Sequence, residues 1–533
     1  MRQLSGHDAS FLYSDSPHAN SNITFIQIYD QSSAPGGKVR FKSILAHIES
    51  RLHRSHVFRS KLLRVPLELD YPYWVDDEHF DLEYHVRHIA LPAPGDWRQF
   101  CIQASRIHSR ALDLNRPLWE IYVIEGLDTI TDLPRGSFAL LTKIHHAAVD
   151  VQGRHEIVDV LHDPVALPPI GPPPEPWFAE RSPGATGLLC RAGLHAAVSP
   201  RRWFDPLLRL APAALTFVKD VVRPEHPEAA TRFNSVVSPH RVFDTRRFTV
   251  DEFHRIRSLV DGATVNDAVL AVCAGGLRRY LEQHGELPET DLAAIAPLAI
   301  SGADRTPAAG RGQPAWLRVQ LGTTVDDPVQ RLALIREQTA GDDALARAAQ
   351  ADARAKADEQ VSAATLAMAS RWFGRPAVNA VRGIPQATCT ISDVPAPDGA
   401  AYLCGARMTY FSAILPIADG MGLVFAVSAY DGRLVVSPTS CRELMPDPQA
   451  FTQCVRDSFQ EYLALADGTE FRPGPLSPPD GPVRRGRGGA ARSAARRASA
   501  RGRSSPSAPA ARTDASRPRP GRGGRPRSTA PRD

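Results

Sequence analysis

The sequence predicts an α/β or α+β architecture in two ordered halves, on three observations. Helical and strand periods alternate up to about His162, the proline-rich stretch "DPVALPPIGPPPEPW" interrupts them, and mixed periods resume near Thr231 and run to about Gly468. The 533 residues are 43% hydrophobic and 23% charged, globular proportions at a length that ordinarily holds two or more domains. The expected division is an N-terminal domain over 1–163, a linker or crossover over 164–230, a C-terminal domain over 231–470 and a tail over 471–533.

In the first half, Phe41, Ile44, Leu45, Ile48 and Leu52 recur at helical spacing and share one face. "SFALLTKI", Ser137 to Ile144, is an apolar run of strand length that stops at two histidines. The stretch from Asp163 carries too much proline for a helix or a central strand. Beyond it, "WFDPLLRLAPAALTFVKDVV" (Trp203 to Val222) is the most apolar segment, yet Asp205, Pro206, Arg209, Pro212, Lys219 and Asp220 break it. It is expected to pack on the protein or lie on a membrane surface, not to span a bilayer. In the second half, "LVFAVSAYDGRLVVSPTS" reads as a hairpin turning at Asp431-Gly432. A closing helix starts at Asp447-Pro448, with Phe451, Cys454, Val455, Phe459 and Tyr462 on its apolar face.

Charge is unevenly spread. Gly474 to Asp533 holds 15 arginines, no lysine and 3 aspartates, a formal +12 against +5 for the whole chain, so the preceding 473 residues carry −7. The body therefore shows no footprint for specific nucleic-acid binding. The tail lacks large apolar residues and is expected to be disordered, either a solvated extension or a contact for anionic lipid or RNA. The seven cysteines are scattered without a C-x-x-C pair, as in a reduced cytosolic protein. "MRQLSGHDASFLYSD" has no apolar export signal, so a cytoplasmic location is expected.

The histidines stand in "TKIHHAAVDVQG", Thr142 to Gly153. A strand that ends in His145-His146 presents an imidazole at the mouth of a sheet, where sites are commonly built. With an ordinary pKa of about 6.5, such a ring can take a proton from a hydroxyl that attacks a carbonyl. Consecutive strand side chains point to opposite faces, so one ring would react while the other supports it. Asp150 can orient the reacting ring or hold the loop. Spacing alone leaves open a structural pair and a metal site drawn from His145, His146, Asp150, His155 and His162, although adjacent residues rarely converge on one ion.

Five blocks besides "HHAAVD" narrow the choice: "MRQLSGHDASFLY", "NRPLWEIYVIEGL" from Asn115, "GATVNDAVLAVCAGGLRRYL" from Gly262, "ISDVPAP" from Ile391 and "MPDPQAFTQCVRDSFQEYL" from Met445. In this order, across about residues 1 to 468, they resemble the bacterial wax ester synthase/diacylglycerol acyltransferase family, a branch of the CoA-dependent acyltransferases with an HHxxxDG motif. The resemblance implies an α/β fold of two chloramphenicol-acetyltransferase-like domains, each a mixed sheet flanked by helices, joined by a crossover linker. It implies transfer of a long-chain acyl group from acyl-CoA to diacylglycerol or a fatty alcohol, with no cofactor and no metal. His146 would be the general base, His145 would support it, and Asp150 would be structural.

Thr264 and Asp267 mark a helix start that places Asn266 in the first turn, as an oxyanion donor or as a cap. Pro117, Leu118 and Trp119 match the family's PLW block and are expected to pack near the substrate tunnel. Direct attack needs no covalent nucleophile, and nothing pairs Cys273 with a base. Val151 replaces the motif's glycine, Ser392-Asp393 replaces serine-asparagine, and "APLAIS" from Ala296 replaces the usual block. A catalytically weak lipid- or acyl-CoA-binding paralogue is therefore the alternative reading. A peptide-condensing or small-molecule acyltransferase of the same superfamily would share the histidines but not the N-terminal and PLW blocks. Insoluble acceptors imply attachment at the inner membrane or at lipid inclusions.

Overall fold

The computed structural model describes residues 1–130, 132–149, 156–169, 176–198, 231–300, 316–340 and 387–469. The first half contains β1 (Arg2–Gln3), α1 (Gly6–Tyr13), β2 (Asn22–Asp30), α2 (Phe41–Glu49), β3 (Ser60–Leu63), β4 (Tyr73–Asp76), α3 (Leu82–His85), β5 (Val86–Ala90), α4 (Trp97–Ser109), β6 (Trp119–Glu125), β7 (Phe138–His145), α5 (Glu156–Leu161) and α6 (Ala185–Val198). The second half contains β8 (Arg241–Phe243), β9 (Arg246–Thr249), α7 (Val250–Arg257), α8 (Val265–Gln283), β10 (Ala293–Pro297), β11 (Trp316–Gln320), α9 (Pro328–Thr339), β12 (Cys389–Asp393), β13 (Tyr402–Leu403), β14 (Ala406–Ile414), β15 (Val424–Tyr430), β16 (Arg433–Cys441) and α10 (Pro448–Ala466).

The local expectations hold where local chemistry decides them. On α2, Ile44 and Ile48 are buried, Leu52 is buried just beyond, and Phe41 and Leu45 pack against the same core. Asp431 and Gly432 both take positive φ (50° and 70°), the twist that lets β15 and β16 pair without splaying. Asp447 caps α10 by accepting from the Gln449 and Ala450 N–H groups, and all five residues of the expected apolar face are buried. Within the expected linker, α6 forms once the prolines end, and Leu188 and Ala192 pack on Val65, Tyr73 and Val75. The Trp203 to Val222 segment and the tail from 471 lie outside the described residues.

Two mixed sheets dominate. One runs β13-β14-β2-β7-β6-β5 and the other β11-β10-β12-β15-β16-β8, with β9 also on β16, while a small third sheet runs β1-β4-β3. Parallel pairs (β5 with β6, β10 with β12, β12 with β15) sit beside antiparallel ones, as a mixed α/β architecture requires. The division by composition follows chain order, whereas the hydrogen bonds do not. β14 pairs along β2 from Asp30 to Thr24, so a strand from the second half completes the first sheet. An Asp163–Tyr402 bridge ties the chain after α5 to this exchanged strand pair, and Arg51 just beyond α2 holds Asp163 by donating Nη2–H to both carboxylate oxygens at 2.6 Å. In α8, Gly276 meets α10 so closely that an added Cβ would stand 2.8 Å from Val455 Cα, and only glycine permits that approach.

Candidate active site

β7 is buried from end to end, as expected of a central strand flanked by β2 and β6. Its regular pairing stops at His145, and His146 opens a single 3-10 turn, His146–Ala148. The cause is a side chain: His145 Nδ1 accepts the Ala147 N–H at 3.1 Å and so caps the turn. An accepting Nδ1 puts the ring proton on Nε2, which donates to Asp15 Oδ2 at 3.0 Å. Both nitrogens of the buried His145 are thereby engaged.

The N-terminal segment through Ser21 supplies the rest of the site. Asp15 Oδ1 accepts the Ser21 N–H at 2.7 Å, and the Ser21 carbonyl accepts the His146 N–H at 2.8 Å. Ser21 Oγ donates to the Phe11 carbonyl at 3.1 Å. The Phe11 ring lies against the half-buried His146 imidazole with centroids 3.6 Å apart and planes 14° from parallel. Helix α1 packs on the turn through Ala9, Leu12 and Tyr13, which share a cluster with Leu118 and Ala147. Ser5 caps α1 by accepting the Asp8 N–H, which starts the helix three residues before this packing face.

The other side of the turn is held by the PLW block. Leu118 accepts the His145 N–H on its carbonyl at 3.0 Å. Trp119 is completely buried, donates Nε1–H to the Phe58 carbonyl at 3.1 Å and stacks on His85 at 4.5 Å. Pro117, Leu118 and Trp119 thus act through packing, in the wall behind the histidines. Two residues before His145, the fully buried Lys143 donates to the Ile107 carbonyl at 3.0 Å and to the Arg110 carbonyl. Asn20 and Asn22 donate to Ser109 and Arg110, so the carbonyl end of α4 is bound to the strands that carry the site. Burial pulls the Lys143 ammonium down to about 8.

Asn266 sits in the other half, in the first turn of α8 behind a reciprocal Thr264–Asp267 cap. It is fully buried and donates Nδ2–H to the Pro297 carbonyl at 3.0 Å, fastening the helix start to the end of β10. Desolvation raises the buried Cys273 thiol well above its ordinary value, which disfavours a thiolate nucleophile. His162 donates Nδ1–H to the Val158 carbonyl at 2.6 Å and receives the Tyr29 hydroxyl on Nε2 at 2.6 Å. Burial lowers it to about 4, so it is a neutral structural ring. Among the described residues, no three His, Cys, Asp or Glu side chains cluster as metal ligands do. Asp150, Val151, Gly153 and His155 lie outside the described residues.

Sequence reasoning did not single out Asp15, Phe11 or Ser21. Phe11 at least lay in the N-terminal block, whereas Asp15 and Ser21 lie beyond it and carried no signal, because the Asp15–His145 contact joins residues 130 positions apart.

Two mixed sheets, one completed by a strand of the opposite half and carrying a histidine turn on a central strand, form the α/β scaffold of an acyltransferase, as its sequence relatives show. The family description "Wax ester synthase/diacylglycerol acyltransferase catalytic domain" matches residues 4–269, and "WS/DGAT C-terminal domain" matches 313–462. The chain belongs to the wax ester synthase/diacylglycerol acyltransferase family. A Mycobacterium tuberculosis protein provisionally named diacylglycerol O-acyltransferase is 32% identical over 495 residues, covering 88% of this chain and 91% of its own. The O-acyltransferase WSD of Acinetobacter baylyi is 31% identical over 407 residues, 73% of this chain and 83% of its own. The solved wax ester synthase/diacylglycerol acyltransferase of Marinobacter aquaeolei VT8 shares the fold with a TM-score of 0.61 at 23% identity, covering 87% of this chain and all of that one.

Proposed function

We propose that the protein moves a long-chain acyl group from acyl-CoA to the hydroxyl of diacylglycerol or a fatty alcohol, with His146 as general base. One observation carries the assignment of the base. His145 spends both ring nitrogens on Ala147 and Asp15, so proton transfer falls to its neighbour.

In this reading His146 takes the acceptor's proton as the hydroxyl oxygen attacks the thioester carbonyl. The tetrahedral oxyanion collapses, the carbon–sulfur bond breaks, and the CoA thiolate takes the proton back from the imidazolium. Ester and free CoA are the products, atoms balance between the two substrates, and no resident cofactor is invoked. Asn266, with one amide hydrogen on Pro297, serves chiefly to fix the second half's helix start.

No helix among the described residues is long and apolar enough to cross a membrane. Because both acceptors are insoluble, the enzyme is proposed to work from a membrane or lipid-inclusion surface, which sedimentation with liposomes tests. The activity test is CoA release from palmitoyl-CoA with hexadecanol or a diacylglycerol, beside His146→Ala. Acceptor-dependent release that the variant lacks is expected. A folded wild-type protein that releases no more CoA than the variant would leave the lipid-binding paralogue as the better reading.

A further inference from the structure

We infer that Phe11 is a positioning residue for His146, and that the N-terminal helix carrying it sets the orientation and basicity of that imidazole; the link to turnover rests on the reading of His146 as the base. The centroid separation of 3.6 Å at 14° puts the two rings in full face-to-face contact. One π face of the imidazole is occupied, so the stack opposes rotation about the Cβ–Cγ bond, which would swing the ring edge towards α1. Ring nitrogens lie in that plane, and the stack therefore directs them sideways without covering them.

The stack is held from behind on both partners. Ser21 grips the Phe11 carbonyl through Oγ and the His146 N–H through its own carbonyl, so one residue spaces the two backbones. Asp15 fixes Ser21 and, with its other oxygen, His145. His7 meets the Phe11 ring edge-on at 5.3 Å and 81°, limiting its rotation. Phe11 adds no hydrogen bond of its own side chain to this arrangement. What it adds is a flat, electron-rich face.

That face acts on the protonation step. When His146 takes the acceptor's proton it becomes an imidazolium, and an aromatic face against a cation is attractive, more so where water is excluded. The stack thus favours the protonated ring, both at rest and in the transition state. Among the described residues, the titratable groups on the elements packed here include His145 in the same turn, His7 and Asp8 on α1, and Asp15 beyond α1. Of these, only His7 touches the Phe11 ring, so Phe11→Leu in a His7→Gln background separates a shift caused by Phe11 from one passed through His7.

Phe11→Leu keeps an apolar side chain and removes the π face. Expected is a fall in kcat of about threefold to tenfold with KM for both substrates nearly unchanged, the fold-change that a lost cation–π contact produces. The acid limb of the kcat–pH profile should move to lower pH, because the imidazolium has lost a stabilising contact. Phe11→Tyr and Phe11→Trp should restore both, which a packing defect alone does not explain. Phe11→Met replaces the leucine variant if that one does not fold.

An NMR titration of the His146 ring, assigned by its loss in His146→Ala, reads the same effect without turnover. A downward pKa shift in Phe11→Leu or Phe11→Met, reversed in Phe11→Tyr, supports the inference even if acyl transfer is absent and the proposed function falls. Full acyl transfer with an unshifted titration in the non-aromatic variants overturns the inference and leaves the function standing.

Discussion

Two strand ends, one in each sheet, are tied off by different chemistry. At the end of β7, His145 caps its own turn, Asp15 binds its outer nitrogen, and His146 is left half-buried against Phe11. At the end of β10, the Pro297 carbonyl receives the Asn266 amide, and the neighbouring Thr264–Asp267 cap is closed by a Thr339 hydroxyl at 2.6 Å on Asp267. The first end leaves a half-buried imidazole at the strand's mouth, while the second is a neutral amide–carbonyl contact, fully buried at Asn266. Under the proposed function, proton chemistry falls to the first sheet, and the second end serves as a fixed support.

The contrast is broken most severely at His146. His146→Ala should lower kcat by about a hundredfold to ten-thousandfold, the range for loss of a general base, with unfolding by urea little changed. Equal loss of stability would mean that the ring belongs to the scaffold.

Next in size is the anchor downstream of the histidine loop. Arg51 is buried and places Nη2 on both Asp163 oxygens and Nη1 on the Val160 and His162 carbonyls, so Arg51→Met strands a carboxylate and should cost about 3–5 kcal/mol in urea unfolding. A cost below about 1 kcal/mol would show that the exchanged strand pair is held without it.

Acid should weaken the fold through its neutral histidines. His162 is held to about 4 by burial, while its unfolded value is the ordinary one near 6.5. Between those values the unfolded chain binds a proton that the folded chain refuses, so stability falls as pH drops through this window and is level above it. The contribution is on the order of 2–3 kcal/mol, and His47, His85 and His108, also lowered by burial, add in the same direction. His162→Asn should flatten part of this slope in urea titrations from pH 7 to 4. An unchanged slope would place the acid sensitivity elsewhere.

The smallest effect expected is at the second strand end. Asn266→Ala leaves the Pro297 carbonyl without its partner and should cost about 1–3 kcal/mol of stability, with kcat reduced less than tenfold. A hundredfold fall in kcat at unchanged stability would instead make Asn266 an oxyanion donor and bring chemistry to both sheets.

By itself the sequence determined what neighbours within a few residues decide. The α2 and α10 faces, the Asp431-Gly432 hairpin and the Thr264–Asp267 cap are local, because periodicity, positive φ and capping hydrogen bonds act over two to seven positions. The histidine pair was legible for the same reason, as adjacent residues at the end of an apolar run. Which ring is committed was not legible, since it depends on Asp15 reaching His145 across 130 positions. Nor was the passage of β14 into the first sheet, a choice of strand partner made by register and shared burial among segments hundreds of residues apart. Trp119, placed by sequence beside a tunnel, is sealed in the core behind the site by Phe58 and His85, which only the tertiary structure brings to it.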